Sequence, residues 1–179
     1  MESLVELRDG ACVRIRPVTG ADRRLLLAGF ARLGERSREQ RFMGVKVRLT
    51  EAEAVFFTHV DGHDHVALGA LDQRTGEGVG VARFIRLRPG GDVAEAAVAV
   101  VDDWQGRGVG RALLAALTRR AEEEGVTHFE ATLRADNRAM LAGFERIGEV
   151  EVIDRELDAM EICVRLPVAD CASAAGART

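Results

Sequence analysis

Residues 105–111, with the sequence QGRGVGR, form the segment that decides the fold. An apolar strand pattern ends just before it, and an amphipathic helix pattern begins within it and continues to Gly125. Glycine reaches backbone conformations that a side chain forbids, and it lets an anion approach the main chain closely. Free amides at the start of a helix, together with the helix dipole, favour a phosphate. The segment therefore predicts a phosphate- or pyrophosphate-binding turn, to which Arg107 and Arg111 add positive charge.

The two better-known phosphate loops do not match this segment. A Walker loop requires a lysine after its last glycine, and no lysine follows these glycines. The dinucleotide fingerprint GxGxxG ends at Arg111 when counted from Gly106 and at Leu113 when counted from Gly108, so it fails in both registers. Taken alone, the turn leaves open a second interpretation, in which it only joins a strand to a helix.

The composition is that of a globular protein. The chain has 179 residues, of which 47% are hydrophobic and 30% charged, and its net charge is −4. We expect one domain over residues 1–168 and a disordered tail of small and polar residues over 169–179. No dense basic block marks a nucleic-acid binder, and no run approaches the roughly 18 apolar residues of a membrane span. The N-terminus lacks the pattern of a signal peptide, so a cytoplasmic location is expected.

The cysteines and histidines do not suggest a metal site. Cys12, Cys163 and Cys171 are widely spaced and form no CxxC pair, which is typical of reduced thiols. His59 and His63 are four residues apart, but Asp61-Gly62 lies between them and no third ligand is placed. We therefore expect no metal.

The periodicity predicts an α/β fold. Helices are predicted at 21–33, from Ser37 to Met43, after Thr50, over 109–125 and from Asp136 or Asn137 to Gly148. Strands are predicted at 11–16, 65–71, 79–87, 93–101, 128–133, 150–153 and 160–166. This order indicates a single domain with a mixed, mostly antiparallel sheet of about six or seven strands flanked by helices.

The pattern Gln-x-x-Gly-x-Gly after the strand end Val98-Ala99-Val100 resembles the coenzyme A pyrophosphate motif of the GNAT superfamily of N-acetyltransferases. Gln105, Gly108 and Gly110 stand at its defining positions. The resemblance extends to residues 134–137, where the family often has an asparagine opening the next helix. Segments 37–42, 64–68 and 94–98 are similar to the GNAT domain of bacterial protein-lysine acetyltransferases. The chain is too short for the nucleotide-sensing domain that some of those enzymes carry, so we do not expect that regulation.

The resemblance implies transfer of an acetyl group from acetyl-CoA to a primary amine, with a protein lysine as the expected acceptor. A lysine amine has a pKa of about 10.4, so a base must remove its proton before it attacks. The resemblance assigns this role to Glu95, which works best if partial burial raises its pKa. The cofactor-binding residues that the resemblance implies are Val98, Val100, Gln105, Gly106, Arg107, Gly108, Val109, Gly110, Arg111 and Asn137.

Alternatives remain open for each part of this assignment. Glu95 is an ordinary strand charge in the simplest alternative, and Glu130 is the second-choice base. The chain has no tyrosine, the residue with which many family members protonate the leaving thiolate. Two competing hypotheses therefore remain: a domain that only binds or senses acetyl-CoA, and an acetyltransferase of a small-molecule amine. The expected partners are acetyl-CoA and the amine acceptor, without nucleic acid or membrane, and a homodimer is compatible with the sequence.

Overall fold

The structure, a computed structural model, describes residues 2–44 and 46–167. The predicted tail 169–179 lies outside the described residues. The strands are β1 (Ser3–Glu6), β2 (Cys12–Pro17), β3 (His65–Asp72), β4 (Gly78–Arg86), β5 (Val93–Val100), β6 (His128–Arg134), β7 (Glu149–Arg155) and β8 (Ala159–Arg165). The helices are α1 (Arg23–Ala31), α2 (Glu35–Phe42), α3 (Glu51–Thr58), α4 (Val109–Glu123) and α5 (Arg138–Phe144).

The strands form one mixed sheet with the order β1-β2-β3-β4-β5-β6-β8-β7. All neighbouring strands are antiparallel except β5 and β6, which are parallel. The predicted α/β class and the mostly antiparallel sheet are confirmed, but the sheet has eight strands rather than six or seven. The additional strand is β1, four residues at the sheet edge that pair with β2. A strand this short shows too little alternation to stand out in the sequence.

The two helical layers cover opposite faces of the sheet. Gly80 faces α4, where a Cβ atom on it would come within 2.9 Å of a Leu113 methyl group. Arg83 lies over the Phe57 ring of α3. Because side chains alternate along a strand, residues 80 and 83 of β4 face opposite sides. Helices α1 to α3 therefore lie on one face, and α4 lies on the other with α5 beside it.

The parallel pair separates part-way along its length. Strands β5 and β6 are paired only from Val93 opposite His128 to Glu95 opposite Glu130. Beyond this point β5 remains paired with β4 as far as Val100, and β6 remains paired with β8 as far as Arg134. The two strands thus diverge inside a continuous sheet and leave one edge of each without a partner strand.

Two local predictions need correction. Ser37 does not begin the second helix, because α2 starts at Glu35 with Gly34 as its N-cap. The Ser37 hydroxyl instead donates to Asp102, which precedes the glycine-rich turn. Gly148 is not the residue that stops α5, which already ends at Phe144. It permits a close strand approach, since a Cβ atom there would collide with the backbone of Arg165.

Candidate active site

The separation of β5 and β6 opens a cleft of about 870 Å³. The end of β5, the glycine-rich turn, α4, α5 and α2 surround it. The structure brings most of the predicted site residues together along its walls: Glu95, Val98, Val100, Gln105, Gly106, Gly108, Gly110, Arg111 and Asn137. Arg107 and Val109 do not line it, although both belong to the same turn.

The glycine-rich turn presents the backbone at the start of α4. Gly106 has φ of 72° and Gly108 has φ of 107°, values that strongly favour glycine. Gly108 is the N-cap of α4, and no side chain caps the first turn of this helix. The first amides of a 15-residue helix are therefore available to an anion in the cleft, which is the arrangement expected of a phosphate site.

The Gln105 side chain ties three elements together. Its amide nitrogen donates to the Val100 carbonyl at 3.1 Å and to the Ser37 hydroxyl at 2.9 Å. Asp102 accepts from that hydroxyl at 2.7 Å and from the Gly34 amide at 3.2 Å. Gln105 thus fixes the end of β5 and the start of α2 against the turn. The Gln105 side chain therefore has a structural role, although the motif to which it belongs predicted a contact with the cofactor.

Arg107 and Val109 point away from the cleft. Arg107 pairs with Asp9, and its guanidinium lies 3.8 Å from the Trp104 ring. The Arg107 hydrogen bond holds the pKa of the Asp9 carboxyl below its usual value. Val109 is 1% exposed and packs in the core. Their predicted side-chain contribution to cofactor binding is therefore not supported by their positions.

Other arginines take the place that Arg107 was expected to hold. Arg8, between β1 and β2, and Arg146, after α5, line the cleft together with Arg111. No local pattern indicates a role for Arg8, because about a hundred positions separate it from the turn. Arg146 follows α5 and was not distinguishable from a surface arginine. With Arg41 of α2, four arginines line this cleft, which favours a ligand with several negative charges.

The strand amides of β5 alternate in direction. The Val101 amide donates to Val79 of β4, so the Val100 and Val98 amides point to the opposite side, where β6 has separated. The Val100 carbonyl, which accepts from Gln105, lies on this same side. Val98 therefore presents an N–H group to the cleft at a place where the sheet supplies no partner strand.

Glu95 lies at the point where the two strands separate. It is exposed, so the expectation of partial burial is wrong. Its neighbour across the parallel pair is Glu130, which is half-buried. Both candidate bases thus stand side by side, but only Glu95 lines the cleft.

The remaining residue predicted in the site, Asn137, caps α5. Its side-chain oxygen accepts from the Met140 amide at 3.2 Å. Within the part of the chain that the structure describes, no three His, Cys, Asp or Glu side chains come together as a metal site. None of the helices in residues 2–44 and 46–167 is long and apolar enough to cross a membrane.

The family model for the acetyltransferase (GNAT) family matches residues 29–148. This chain belongs to the GNAT family. Acetyltransferase Pat from Mycolicibacterium smegmatis is 34% identical over 148 residues, which are 83% of this chain and 44% of that protein. The chain therefore spans less than half the length of this relative.

Two solved structures extend this result. The GNAT domain of S. lividans PAT superposes with a TM-score of 0.83 at 32% identity, over 92% of this chain and 97% of that one. A cAMP-binding acyltransferase from Mycobacterium smegmatis superposes with a TM-score of 0.67 at 30% identity, over 96% of this GNAT chain and 49% of the other. The GNAT domain of this chain is thus similar to those of PAT proteins.

Proposed function

We propose that this GNAT protein transfers the acetyl group of acetyl-CoA to a primary amine, with a protein lysine side chain as the acceptor. The observation that carries the proposal is the cleft where β5 leaves β6. The glycine-rich turn, the Val98 amide and the Glu95 carboxylate all belong to its walls. An anion site, an oxyanion donor and a base next to one another are the parts that acyl transfer requires.

The coenzyme would bind through its pyrophosphate to the turn from Gly106 to Gly110. The free amides at the start of α4 face this position, and Arg8, Arg111 and Arg146 supply the countercharge. The thioester would then lie along the unpaired edge of β5. Arg107 and Val109 contribute to this site only through the backbone of the turn.

The proposed reaction is a direct attack on the thioester. Glu95 takes a proton from the ammonium group, and the amine nitrogen attacks the carbonyl carbon. The Val98 N–H stabilises the negative oxygen of the tetrahedral intermediate. When the intermediate collapses, the C–N bond remains, the C–S bond breaks, and the nitrogen releases its second proton to solvent. The thiolate leaves with the electron pair and takes a proton from solvent, since the chain has no tyrosine to donate one.

A domain that binds acetyl-CoA without transferring the acetyl group is the second candidate. The absence of tyrosine from the chain favours it, and so does the exposure of Glu95. Both candidates require the same coenzyme site, so binding alone does not separate them.

Two measurements on the wild-type protein test the proposal. Calorimetry with acetyl-CoA should give micromolar or tighter binding, and the same titration with NAD or ATP should give none. Release of free coenzyme A should then be followed across a panel of small amines, peptides and lysine-bearing proteins. Absence of binding contradicts both candidates, whereas binding without release on any acceptor leaves only the binding domain.

We propose that the acetyltransferase domain spans residues 1–168. We also propose a cytoplasmic location and a homodimer. Light scattering at several protein concentrations would measure the assembly directly.

A further inference from the structure

Strand β4 carries two buried arginines that differ in their surroundings. Arg86 donates to the carbonyl groups of Gly91 and Glu124 and lies 3.1 Å from an Asp64 oxygen. Arg83 lies on the opposite face and is 5% exposed. Its Nη1 atom has no hydrogen-bond partner, and its guanidinium stacks 3.9 Å from the Phe57 ring centre. The contacts of Arg86 therefore compensate the burial of its charge, whereas the buried charge of Arg83 has no such compensation.

A second cation lies next to Arg83. Burial, and to a smaller extent the charge of Arg41 of α2, lowers the pKa of Arg83 to about 9. Among the described residues, neither arginine has a carboxylate within salt-bridge distance, in contrast to Arg86. Burial of charge without a partner is costly, and two like charges increase this cost. An anion between them would remove the penalty.

A cavity of about 90 Å³ adjoins the two arginines. Its walls are otherwise mainly apolar, and its other charged residues, Arg16 and Asp22, neutralise each other through two hydrogen bonds of 2.8 and 2.6 Å. The remaining positive charge of the cavity is therefore that of Arg41 and Arg83; burial lowers the pKa of Arg41, and the Glu95 carboxylate of the cleft only partly offsets this lowering. Its volume holds several water-sized groups, enough for a carboxylate.

The cavity is a neighbour of the cleft. Both are lined by Leu33, Arg41, Phe42 and Ala99. Arg83 is directly opposite Ala97 on β5, two residues from Glu95 on the same face. Diagonal neighbours of this kind have Cα atoms about 7–8 Å apart. An anion at Arg83 would therefore lie a few bond lengths from an amine at Glu95.

We propose that the acceptor carries a carboxylate close in space to its reactive amine, and that Arg83 and Arg41 bind this carboxylate. The inference rests on the proposed function and narrows its substrate class. Two kinds of acceptor carry an amine and a carboxylate in this way. One is a free amine that resembles an amino acid, and the other is a lysine next to an acidic residue of a peptide. Each source has a matched neutral compound that differs only in the charge.

The first test compares such pairs in the coenzyme A-release assay. 6-Aminohexanoate is compared with 6-aminohexanamide, and a blocked Lys-Glu dipeptide is compared with blocked Lys-Gln. We expect kcat/KM to be about 10- to 100-fold higher for the carboxylate member of one pair, as for a charge-assisted hydrogen bond. The pair that shows the preference identifies the source. Ratios near one for both pairs overturn the proposal.

Variants test whether Arg83 causes the preference for the carboxylate compound over the neutral one. Arg83→Met should abolish the preference by raising KM for the carboxylate compound, while kcat/KM for the neutral compound stays unchanged. Arg83→Lys should retain part of it. Arg119→Met, which changes an exposed arginine of α4, should behave as wild type. An equal loss on both members of a pair in Arg83→Met means that Arg83 has only a structural role, and it overturns the proposal.

A binding measurement separates this inference from the proposed function. In protein labelled with ¹⁵N-arginine, the Nε–Hε signal that is missing from Arg83→Lys belongs to Arg83. It should shift with millimolar butyrate and remain in place with butyramide. Absence of a shift overturns the inference even if acetyl transfer occurs. A shift in a protein that releases coenzyme A with no amine would contradict the proposed function and leave the carboxylate site standing.

Discussion

Glu95 is the residue on which the proposed chemistry depends. Glu95→Gln keeps the size and hydrogen-bonding reach of the side chain but removes the basic carboxylate. We expect kcat to fall by ~10²–10⁴-fold, because the amine then attacks only when it arrives without its proton. Affinity for acetyl-CoA should be almost unchanged, because the coenzyme would be held by the turn after β5. Steady-state kinetics and calorimetry on the same preparation measure both quantities.

Glu130 provides the matched control for Glu95. It is the direct partner of Glu95 across the parallel pair, but it does not line the cleft. Glu130→Gln should therefore stay within a few-fold of wild type. The Glu95 variant should also recover part of its rate at alkaline pH, where more of the amine is neutral. Near-normal activity of Glu95→Gln, or a larger loss in Glu130→Gln, would assign the base to another residue.

Lys46, the only lysine of the chain, limits self-acetylation. Its side chain is 23% exposed and is paired with Glu53. This pairing, the strongest cause, lowers the pKa of Glu53 to about 2 and keeps the Lys46 amine in contact with a carboxylate. We expect intact mass after incubation with acetyl-CoA to show at most two additions, on Lys46 and the N-terminal amine. Three or more would contradict an amine-selective mechanism.

Glu53→Gln is the companion variant for Lys46. It removes the charged partner that contacts the Lys46 amine, and we expect faster labelling of Lys46 by added acetyl-CoA. Peptide mapping locates the label. An unchanged labelling rate would show that the ion pair does not protect the amine.

Helix α4 offers a matched pair of substitutions at its two ends. Gly108 before the helix and Gly125 after it both have positive φ, 107° and 75°, with open space around the missing Cβ atom. Gly108→Asp and Gly125→Asp should each lose about 1–2 kcal/mol of stability through the same backbone strain. Only Gly108→Asp should also lose acetyl-CoA binding, by tenfold or more, since its carboxylate would occupy the phosphate position.

Calorimetry and urea unfolding on both variants check this prediction. Equal loss of coenzyme affinity in the two variants would mean that the strain alone disturbs the site. Retained affinity in Gly108→Asp would contradict a phosphate site at the turn.

Elements with a strong local pattern were predictable from the sequence. The capping box of Thr50 and Glu53 marks the start of α3, and both hydrogen bonds of the box are present. The turn before α4 was recognisable because its glycines have a local conformational cause. In contrast, α2 begins at Glu35 because Asp102, far along the chain, holds Gly34 and Ser37. A boundary set by a tertiary contact leaves no local signal.

The same distinction applies to the site. Gln105, Gly108 and Gly110 were found because they lie within seven residues of one another. Arg8, Arg146 and Arg83 were missed, since their roles arise from where the sheet places them. The exposure of Glu95 could not be foreseen either, because the separation of β5 from β6 decides it and pairing partners are not readable from one strand.

Across the whole molecule, the fold combines a continuous sheet with a local opening. Strand β5 remains paired with β4 beyond the point where it separates from β6, and helices pack against both faces of the sheet. The strand therefore keeps its position although it has lost β6 as a partner. The opening supplies an unpaired backbone edge in a rigid frame, which is the preorganisation that acyl transfer needs. Arg83 lies on the same face of the sheet as Glu95 and has an Nη1 atom without a hydrogen-bond partner, and we propose that the acceptor is selected there.

Carboxylates paired in the folded state make the stability of the whole molecule sensitive to acid. Asp22 accepts two hydrogen bonds from Arg16, and this pair lowers the pKa of Asp22 below its usual 3.8. A lowered folded pKa contributes stability above the unfolded value, and this stability is lost as pH falls through the folded pKa. We therefore expect the free energy of unfolding, from urea titrations, to drop steeply below about pH 4. Asp22→Asn should lose about 1–3 kcal/mol at pH 7 and show a weaker acid dependence, because the partly buried Arg16 loses its partner. Asp103→Asn, at an exposed position, should follow the wild-type curve, and an Asp22→Asn curve parallel to wild type would show that the ion pair contributes nothing to the acid transition.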